Sequence, residues 1–102
     1  MNSVIYSAQA KQDLRNIYEH IAYILCSPDT AKIQVRKIMG AIKLLDEMPL
    51  RHRLYDDEPW HSQGLRFFPV DNYIIFYLYD EFSNTVMIVR IMYGRQESKK
   101  YF

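Results

Sequence analysis

Two arginines and one tyrosine have the types and spacing that could support chemistry on RNA. Arg66 interrupts an apolar strand-like run, Arg95 follows the end of another, and Tyr101 lies six residues later. Cleavage of RNA by its own 2′-hydroxyl needs a proton acceptor, a proton donor and positive charge beside the developing phosphorane. Arginine supplies that charge permanently. Tyrosine stacks on a base, or moves a proton when cations lower its pKa of about 10. The candidate catalytic residues are therefore Arg66, Arg95 and Tyr101.

A second group of candidates lies in residues 49–63, which show neither helical nor strand periodicity and hold two prolines, three consecutive acids and two histidines. A loop of this length between helix and sheet is a candidate for function. Its histidines, with a pKa of about 6.5, could act as general acid or base. The alternative is structural, with Leu54 and Trp60 fixing the loop to the core while the acids are solvated. The candidate RNA-binding residues are Arg51, His52, Arg53 and His61 of this segment, together with Lys99 and Lys100 of the C-terminal tail.

Length and composition predict one domain, residues 1–102, with its own core. A single cysteine, Cys26, excludes an internal disulfide, and no cysteine–histidine pattern has zinc spacing, so we expect neither a metal nor a cofactor. We expect no membrane span and no signal peptide, which predicts a cytoplasmic protein. The net charge of +1 is low for a protein that binds nucleic acid mainly through phosphates.

The elements that must position these residues begin with the stretch from Gly64 to Gly94. Three runs rich in Val, Ile, Phe and Tyr are separated by turns too short for a crossover helix, which predicts an antiparallel meander. Pro69 cannot donate to a ladder, so its strand is an edge or is bulged there. Alternation sets Arg66 on one face with Phe68 and Val70, opposite Leu65, Phe67 and Pro69. In the last strand alternation sets Val86, Ile88, Arg90 and Met92 on one face. We expect a structural role for Arg90, either at the rim of the sheet with its charged head in water or in an ion pair.

Two amphipathic helices precede this meander. Ser3 to Tyr6 forms a short strand, and Ser7 caps a helix that ends near Cys26; Ser27 and Pro28 begin a second helix, which ends before Pro49. The apolar stripes have spacings of four and three and consist of Ala10, Leu14, Ile17, Ile21 and Ile24, then Ala31, Val35, Ile38, Ile42 and Leu45. We therefore predict an α+β fold of order β-α-α-β-β-β, with the helix hairpin packed on one face of a small, mainly antiparallel sheet.

This order of elements resembles the RelE/ParE superfamily of bacterial toxins across nearly the whole chain. The residues that carry the resemblance are Tyr6-Ser7, Ala10, Asp13-Leu14, Ile17-Tyr18 and Ile21, then Gly64 to Tyr77, then Tyr93 to Phe102. The resemblance implies a toxin of a type II toxin–antitoxin system. It also implies a cognate antitoxin encoded nearby, which wraps the toxin and supplies binding to operator DNA.

The resemblance implies two activities. RelE-like members cut messenger RNA on the ribosome without a metal, and here Arg66, Arg95 and Tyr101 match their functional positions. ParE-like members lack nuclease activity and poison DNA gyrase. The C-terminal Arg and Tyr favour the nuclease slightly. The gyrase inhibitor is the alternative. The third hypothesis is an inactive relative that acts only as antitoxin partner and co-repressor. The chain departs from the nucleases, which are usually strongly basic with lysines near the active face, in its near-neutral charge and in a 49–63 loop that offers Arg51, His52, Arg53 and His61 instead.

Overall fold

The computed structural model describes residues 2–94 and has the predicted order of elements. These are β1 (Ser3–Tyr6), α1 (Ala8–Glu19), which continues into a π-helical turn (His20–Ile24), α2 (Pro28–Lys43), which continues into a 3-10 turn (Leu44–Asp46), β2 (Arg66–Val70), β3 (Tyr73–Asp80) and β4 (Thr85–Tyr93). The sheet has the order β1-β4-β3-β2. Strands β2, β3 and β4 form the antiparallel meander, and β1 pairs with β4 in parallel.

Both helices pack on one face of the sheet, as predicted. The core on this side joins Ala10, Ile38, Ile42 and Leu45 from the helical layer to Phe68, Val70, Ile75, Tyr77, Val86, Ile88 and Ile91 from the strands. Ser7 is the N-cap of α1, and its hydroxyl accepts a hydrogen bond from the Ala10 amide at 2.9 Å. Among the described residues, no helix is both long enough and apolar enough to cross a bilayer.

The other face of the sheet is partly covered by the 49–63 loop. Tyr55 is buried with Leu65 and Phe76, and Trp60 packs against them. The loop also pairs with the edge of β2, because the Tyr55 amide donates to the Leu65 carbonyl at 2.7 Å and the Phe67 amide to the Arg53 carbonyl at 3.1 Å. The prediction that β2 is an edge strand is confirmed, and the loop covers the first half of that edge.

A β-bulge in β4 corrects the predicted strand faces. Tyr77 pairs with Ile88 whereas its neighbour Phe76 pairs with Arg90, so one extra residue is inserted in β4. Beyond the insertion the alternation is reset. Ile91 therefore joins the helix-side core, and Met92 packs on the opposite face. The prediction that Met92 shares a face with Val86 and Ile88 is wrong for this reason.

The end of α1 also departs from the predicted stripe. The Leu25 amide donates to the His20 carbonyl at 3.0 Å, five residues back, which is the hydrogen bond of a π-helix. This wider turn holds one more residue than an α-helical turn and rotates the positions that follow it. As a result Ile21 and Ala22 are buried while Ile24 is exposed, so the prediction that Ile24 belongs to the core stripe is wrong.

Candidate functional site

Arg66 opens β2 on the face predicted for it, together with Phe68 and Val70, but its guanidinium is already engaged. Nη1 donates to the His52 carbonyl at 2.7 Å, and the side chain is partly buried. It lines a cavity of about 640 Å³, and the same cavity is lined by Asp80 and Glu81. The negative charge that Asp80 and Glu81 bring to the wall of this cavity disfavours a phosphate within it. The geometry is that of a side chain which fastens the 49–63 loop to the sheet.

The loop arginines lie beside aromatic side chains at the edge of β2. The guanidinium carbon of Arg53 lies 5.0 Å from the centre of the Phe67 ring, and its Nη2 lies 3.2 Å from the carboxylate of Asp56. Arg53 and Asp56 are largely exposed, so their ion pair contributes at most about 1 kcal/mol. Arg51 is also exposed. Arg51 and Arg53 line a cavity of about 460 Å³ whose wall includes Phe67 and Phe68.

His52 and His61 are both tied to the protein. The His52 ring stacks on Phe68 with its centre 4.0 Å away and an angle of 12° between the ring planes. Burial, and then the charge of Arg51, lower the pKa of His52, so the ring is neutral at pH 7. The Nδ1 of His61 lies 2.9 Å from the Tyr55 carbonyl, which can only accept, so Nδ1 carries the proton. Each ring therefore has a partner within the protein, and a role for either histidine in proton transfer stays a prediction.

The proposed meeting of Arg66, Arg95 and Tyr101 depends on residues beyond those that are described. Arg95, Lys99, Lys100 and Tyr101 lie outside residues 2–94, so their roles remain predictions. In the sheet Arg66 pairs with Tyr77 of β3, and Tyr93 at the end of β4 pairs with Tyr73 of β3. These two positions of β3 are four residues, or about 13 Å, apart along the strand. The seven residues from Gly94 to Tyr101 can span at most about 25 Å. The chain is therefore long enough for Tyr101 to approach Arg66, although Arg66 and the strand end lie apart.

A buried ion pair that the sequence reasoning did not assign joins α1 to the bulge of β4. The Asp13 carboxylate accepts hydrogen bonds from Arg90 Nε at 2.8 Å, Arg90 Nη2 at 3.1 Å and the Ile91 amide at 2.9 Å. The hydrogen bond to Asp13 raises the pKa of Arg90. Asp13, which is not among the residues of the predicted apolar stripe, is buried, and the prediction of a structural role for Arg90 is confirmed. The one available signal was an arginine in an apolar strand, which requires a partner.

A family model supplies the identification. The model for the "ParE toxin of type II toxin-antitoxin system, parDE" matches residues 4–98. The chain belongs to this ParE toxin family. It is therefore a toxin of a type II toxin–antitoxin system, within the RelE/ParE superfamily. A search of curated protein sequences found no match.

Solved structures share the fold of this ParE-family chain. A chain from the chromosomal ParDE system of P. aeruginosa has a TM-score of 0.74 and 23% identity, over 91% of this chain and 96% of that chain. The archaeal RelE–RelB complex from Pyrococcus horikoshii has a TM-score of 0.65 and 12% identity, over 94% and 98%. The RelBE2 complex from Mycobacterium tuberculosis has a TM-score of 0.62 and 20% identity, over 90% of each chain. At these identities the likeness establishes the fold, which both branches of the superfamily share.

The ParE-family chain also exposes apolar side chains that the sequence reasoning did not single out. Tyr23, Ile24 and Leu25 are 69%, 70% and 59% exposed where α1 turns towards α2. We call these three residues the tip patch. By contrast, residues 2–94 contain no cluster of three His, Cys, Asp or Glu side chains able to hold a metal ion.

Proposed function

We propose that this ParE-family toxin acts by binding DNA gyrase and blocking supercoiling, without cutting RNA. The observation that carries the proposal is the position of Arg66. Its guanidinium is bonded to the His52 carbonyl and shares its cavity with Asp80 and Glu81. Of the candidate residues within 2–94, Arg66 and His61 bond to carbonyls of the 49–63 loop and His52 stacks on Phe68, whereas Arg51 and Arg53 are exposed. The match to the ParE family model and the near-neutral charge of the chain also support a gyrase inhibitor over a nuclease.

A cognate antitoxin is the partner that this proposal requires. The family is defined by toxin–antitoxin pairs, and the similar chains come from ParDE and RelBE systems. The groove between the helix hairpin and the open sheet edge suits an amphipathic helix or an added strand from a flexible segment. β1 and the Pro69 half of β2 are the edges of the sheet. In this proposal the protein works in the cytoplasm and reaches operator DNA only through its antitoxin.

Messenger RNA cleavage on the ribosome is the second candidate, and one observation favours it. Arg51, His52 and Arg53 surround an aromatic cavity over Phe67 and Phe68. Cations beside aromatic rings are the usual means of holding single-stranded nucleic acid. In this alternative Arg66 and Arg95 stabilise the phosphorane, Tyr101 stacks or transfers a proton, and His61, Lys99 and Lys100 contact RNA. The third candidate, a harmless antitoxin partner and co-repressor, has no toxic activity.

The deciding experiment follows supercoiling and translation together. Purified toxin, separated from its antitoxin, is added to gyrase with relaxed plasmid and, in parallel, to a translating extract with a defined message. We expect supercoiling to fall and the message to remain intact. In cells, brief induction should raise the DNA-damage response while protein synthesis continues at first. Cleaved transcripts with normal supercoiling would establish the nuclease instead, and Arg95→Ala and Tyr101→Phe should then relieve toxicity. Harmless expression of the folded chain would leave the co-repressor.

A further inference from the structure

The outer edge of β1 is an unpaired strand edge. The amides of Ser3 and Ser7 donate to carbonyls just before β4 and in its middle, at 2.8 and 2.9 Å. Because successive residues of a strand direct their backbone groups to opposite sides, the N–H and C=O groups of Val4 and Tyr6 point away from β4. No described strand lies on that side. Within residues 2–94, β1 therefore leaves two donors and two acceptors for an added strand.

The opposite edge of the sheet, on β2, is closed by contrast. The Phe67 amide bonds to the 49–63 loop, and the next residue whose backbone points outward is Pro69, which has no N–H. Proteins usually block exposed strand edges in this way, because another chain would otherwise pair with them. The difference between the two edges indicates that the edge of β1 is kept open for a partner.

A groove between β1 and α2 runs beside the open edge. It has a volume of about 370 Å³ and is lined by Val4, Tyr6, Met39, Gly40, Ile42 and Lys43. Gly40 lies in the interior of α2, where glycine is less favourable than alanine. It is exposed, and a Cβ added there would meet no side chain and no backbone of another element within 4 Å. The packing of residues 2–94 does not require a glycine here, whereas a partner lying close against α2 would.

The charges around the groove favour an acidic partner over a second copy of this chain. Lys43 is the charged residue in the wall of the groove, and it forms no ion pair within the described range. Arg36 lies two turns before it, and Asp46 and Glu47 follow α2 without lining the groove. A two-fold copy would bring a second Lys43 into a shared groove. Residues 95–102 contain three basic residues and one acidic residue. Repulsion between like charges disfavours both as occupants.

We propose that an extended segment of the antitoxin binds at this edge as a fifth strand, bonded to the backbone of Val4 and Tyr6, with an apolar side chain over Gly40 and an acidic one facing Lys43. An unpaired strand edge binds an extended chain, whereas a helix has already used its own N–H and C=O groups along its length. The inference rests on the antitoxin partnership proposed above and adds the site and the conformation of the bound segment.

Amide hydrogen exchange tests the added strand residue by residue. In the free toxin the outward amides of Val4 and Tyr6 should exchange rapidly, whereas the amide of Ile5, which points towards β4, should be protected. Purified antitoxin should slow exchange at Val4 and Tyr6 by at least about tenfold, with a much smaller change at Ile5. Slow exchange at both outward amides in the free toxin would show that the chain covers its own edge, and would overturn the proposal.

Substitutions of Gly40 should change stability and binding in opposite directions. Gly40→Ala should raise the melting temperature, because alanine favours the helix, and should weaken antitoxin binding at least about fivefold, because its methyl group occupies space that the strand needs. Gly40→Leu, which is also favourable in a helix, should weaken binding further. Asn16→Ala is the matched control, since it places alanine at an exposed position of α1 outside the groove and should leave the antitoxin affinity unchanged.

Lys43 gives a second readout, because attraction between opposite charges accelerates association and is screened by salt. Lys43→Glu should lower the association rate with the antitoxin about threefold or more at low salt and reduce its dependence on salt. Lys32→Glu, at the other end of α2, is the control and should have a smaller effect. Equal effects of the two substitutions would show that only the net charge matters and would remove the acidic side chain from the proposal.

The outcomes separate this inference from the proposed function. Freed of antitoxin, the Gly40 variants should inhibit supercoiling as the wild type does. Unchanged antitoxin affinity in Gly40→Leu would overturn the docking site. Loss of supercoiling inhibition with unchanged antitoxin affinity would assign the groove to gyrase and would also overturn it. A wild-type toxin that does not inhibit gyrase would overturn the proposed function, while exchange and antitoxin affinity would still decide the strand on β1.

Discussion

The middle of α1 and its end break the rule of polar outside and apolar inside in opposite ways. In the middle, Asp13 is buried, but all its hydrogen bonds are made by Arg90 and Ile91 of β4. At the end, Tyr23, Ile24 and Leu25 are exposed, and no described residue covers them. The first exception is completed within the chain and stabilises the fold. The second leaves three large apolar side chains largely in contact with solvent and contributes little to the fold.

The largest expected effect comes from opening the internal pair. Asp13→Ala leaves the guanidinium of Arg90 and the amide of Ile91 without their acceptor. Removing one partner of a fully buried pair costs about 3–5 kcal/mol, and because the Arg90 side chain is 26% exposed we expect a loss towards the lower end of that range. Urea unfolding of the purified chain measures the loss. Asp13→Asn, which keeps the volume and an acceptor oxygen but not the charge, should be less harmful. A loss below about 1 kcal/mol for Asp13→Ala would show that the pair does not hold α1 to β4.

The same substitution at two isoleucines separates an internal role from an external one. Ile38 is fully buried beneath the sheet, and Ile38→Ala should lower the free energy of unfolding by about 2–5 kcal/mol through lost burial and a cavity. Ile24 is exposed, so Ile24→Ala should change it by no more than about 0.5 kcal/mol. Denaturant melts of both variants test the pair. Equal losses would mean that the tip patch is packed in solution, and the comparison above would fail.

Removing a buried, neutral hydrogen-bonding group should cause a loss of stability between these extremes. Tyr77 is fully buried, and its hydroxyl donates to the Pro49 carbonyl at 2.8 Å at the start of the 49–63 loop. Tyr77→Phe removes this bond and should cost about 1 kcal/mol. Limited proteolysis of the loop, alongside the melt, shows whether the bond orders the loop. Unchanged cleavage with a lower melting temperature would assign the effect to the core alone.

The smallest effect is a pH dependence from His52. Its pKa is lowered in the folded state, so the unfolded chain binds more protons as pH falls below about 6.5. The stabilisation is therefore present above that pH and is lost as pH falls towards the folded-state pKa. Arg90, whose pKa is raised, stays charged throughout this range. His52→Phe should reduce the loss of stability as pH falls below about 6.5. An unchanged dependence of stability on pH would show that other groups cause that loss.

The sequence predicted most of the fold because periodicity reports directly on buried faces. Both helices, the meander, the β2 edge at Pro69 and the Ser7 cap follow from local patterns. The π-helical turn and the β-bulge were missed because each adds one residue to a regular element with no distinctive residue type. Both errors had the same form, since the pattern was correct up to the insertion and shifted in phase beyond it.

The candidate site was less predictable because it depends on where long side chains are held. The sequence placed Arg66 in the correct strand and on the correct face, but it could not show that the guanidinium bonds to the His52 carbonyl. The partner of Arg90 lies 77 residues away and is seen only once the chain is folded. Residue types identified candidate chemistry, and geometry then decided which of those groups are already occupied.

The parallel pairing of β1 with β4 sets an order of events during synthesis. Ser3 to Tyr6 align with Thr85 to Ile88, so the first strand has no neighbour in the sheet until nearly the whole meander has left the ribosome. Joining segments so far apart in the chain is slow, because the closure entropy must be lost before the contacts are gained. A nascent chain that stops short of β4 therefore cannot complete this sheet, and β1 gains its neighbour only after residues 85–88 have been made.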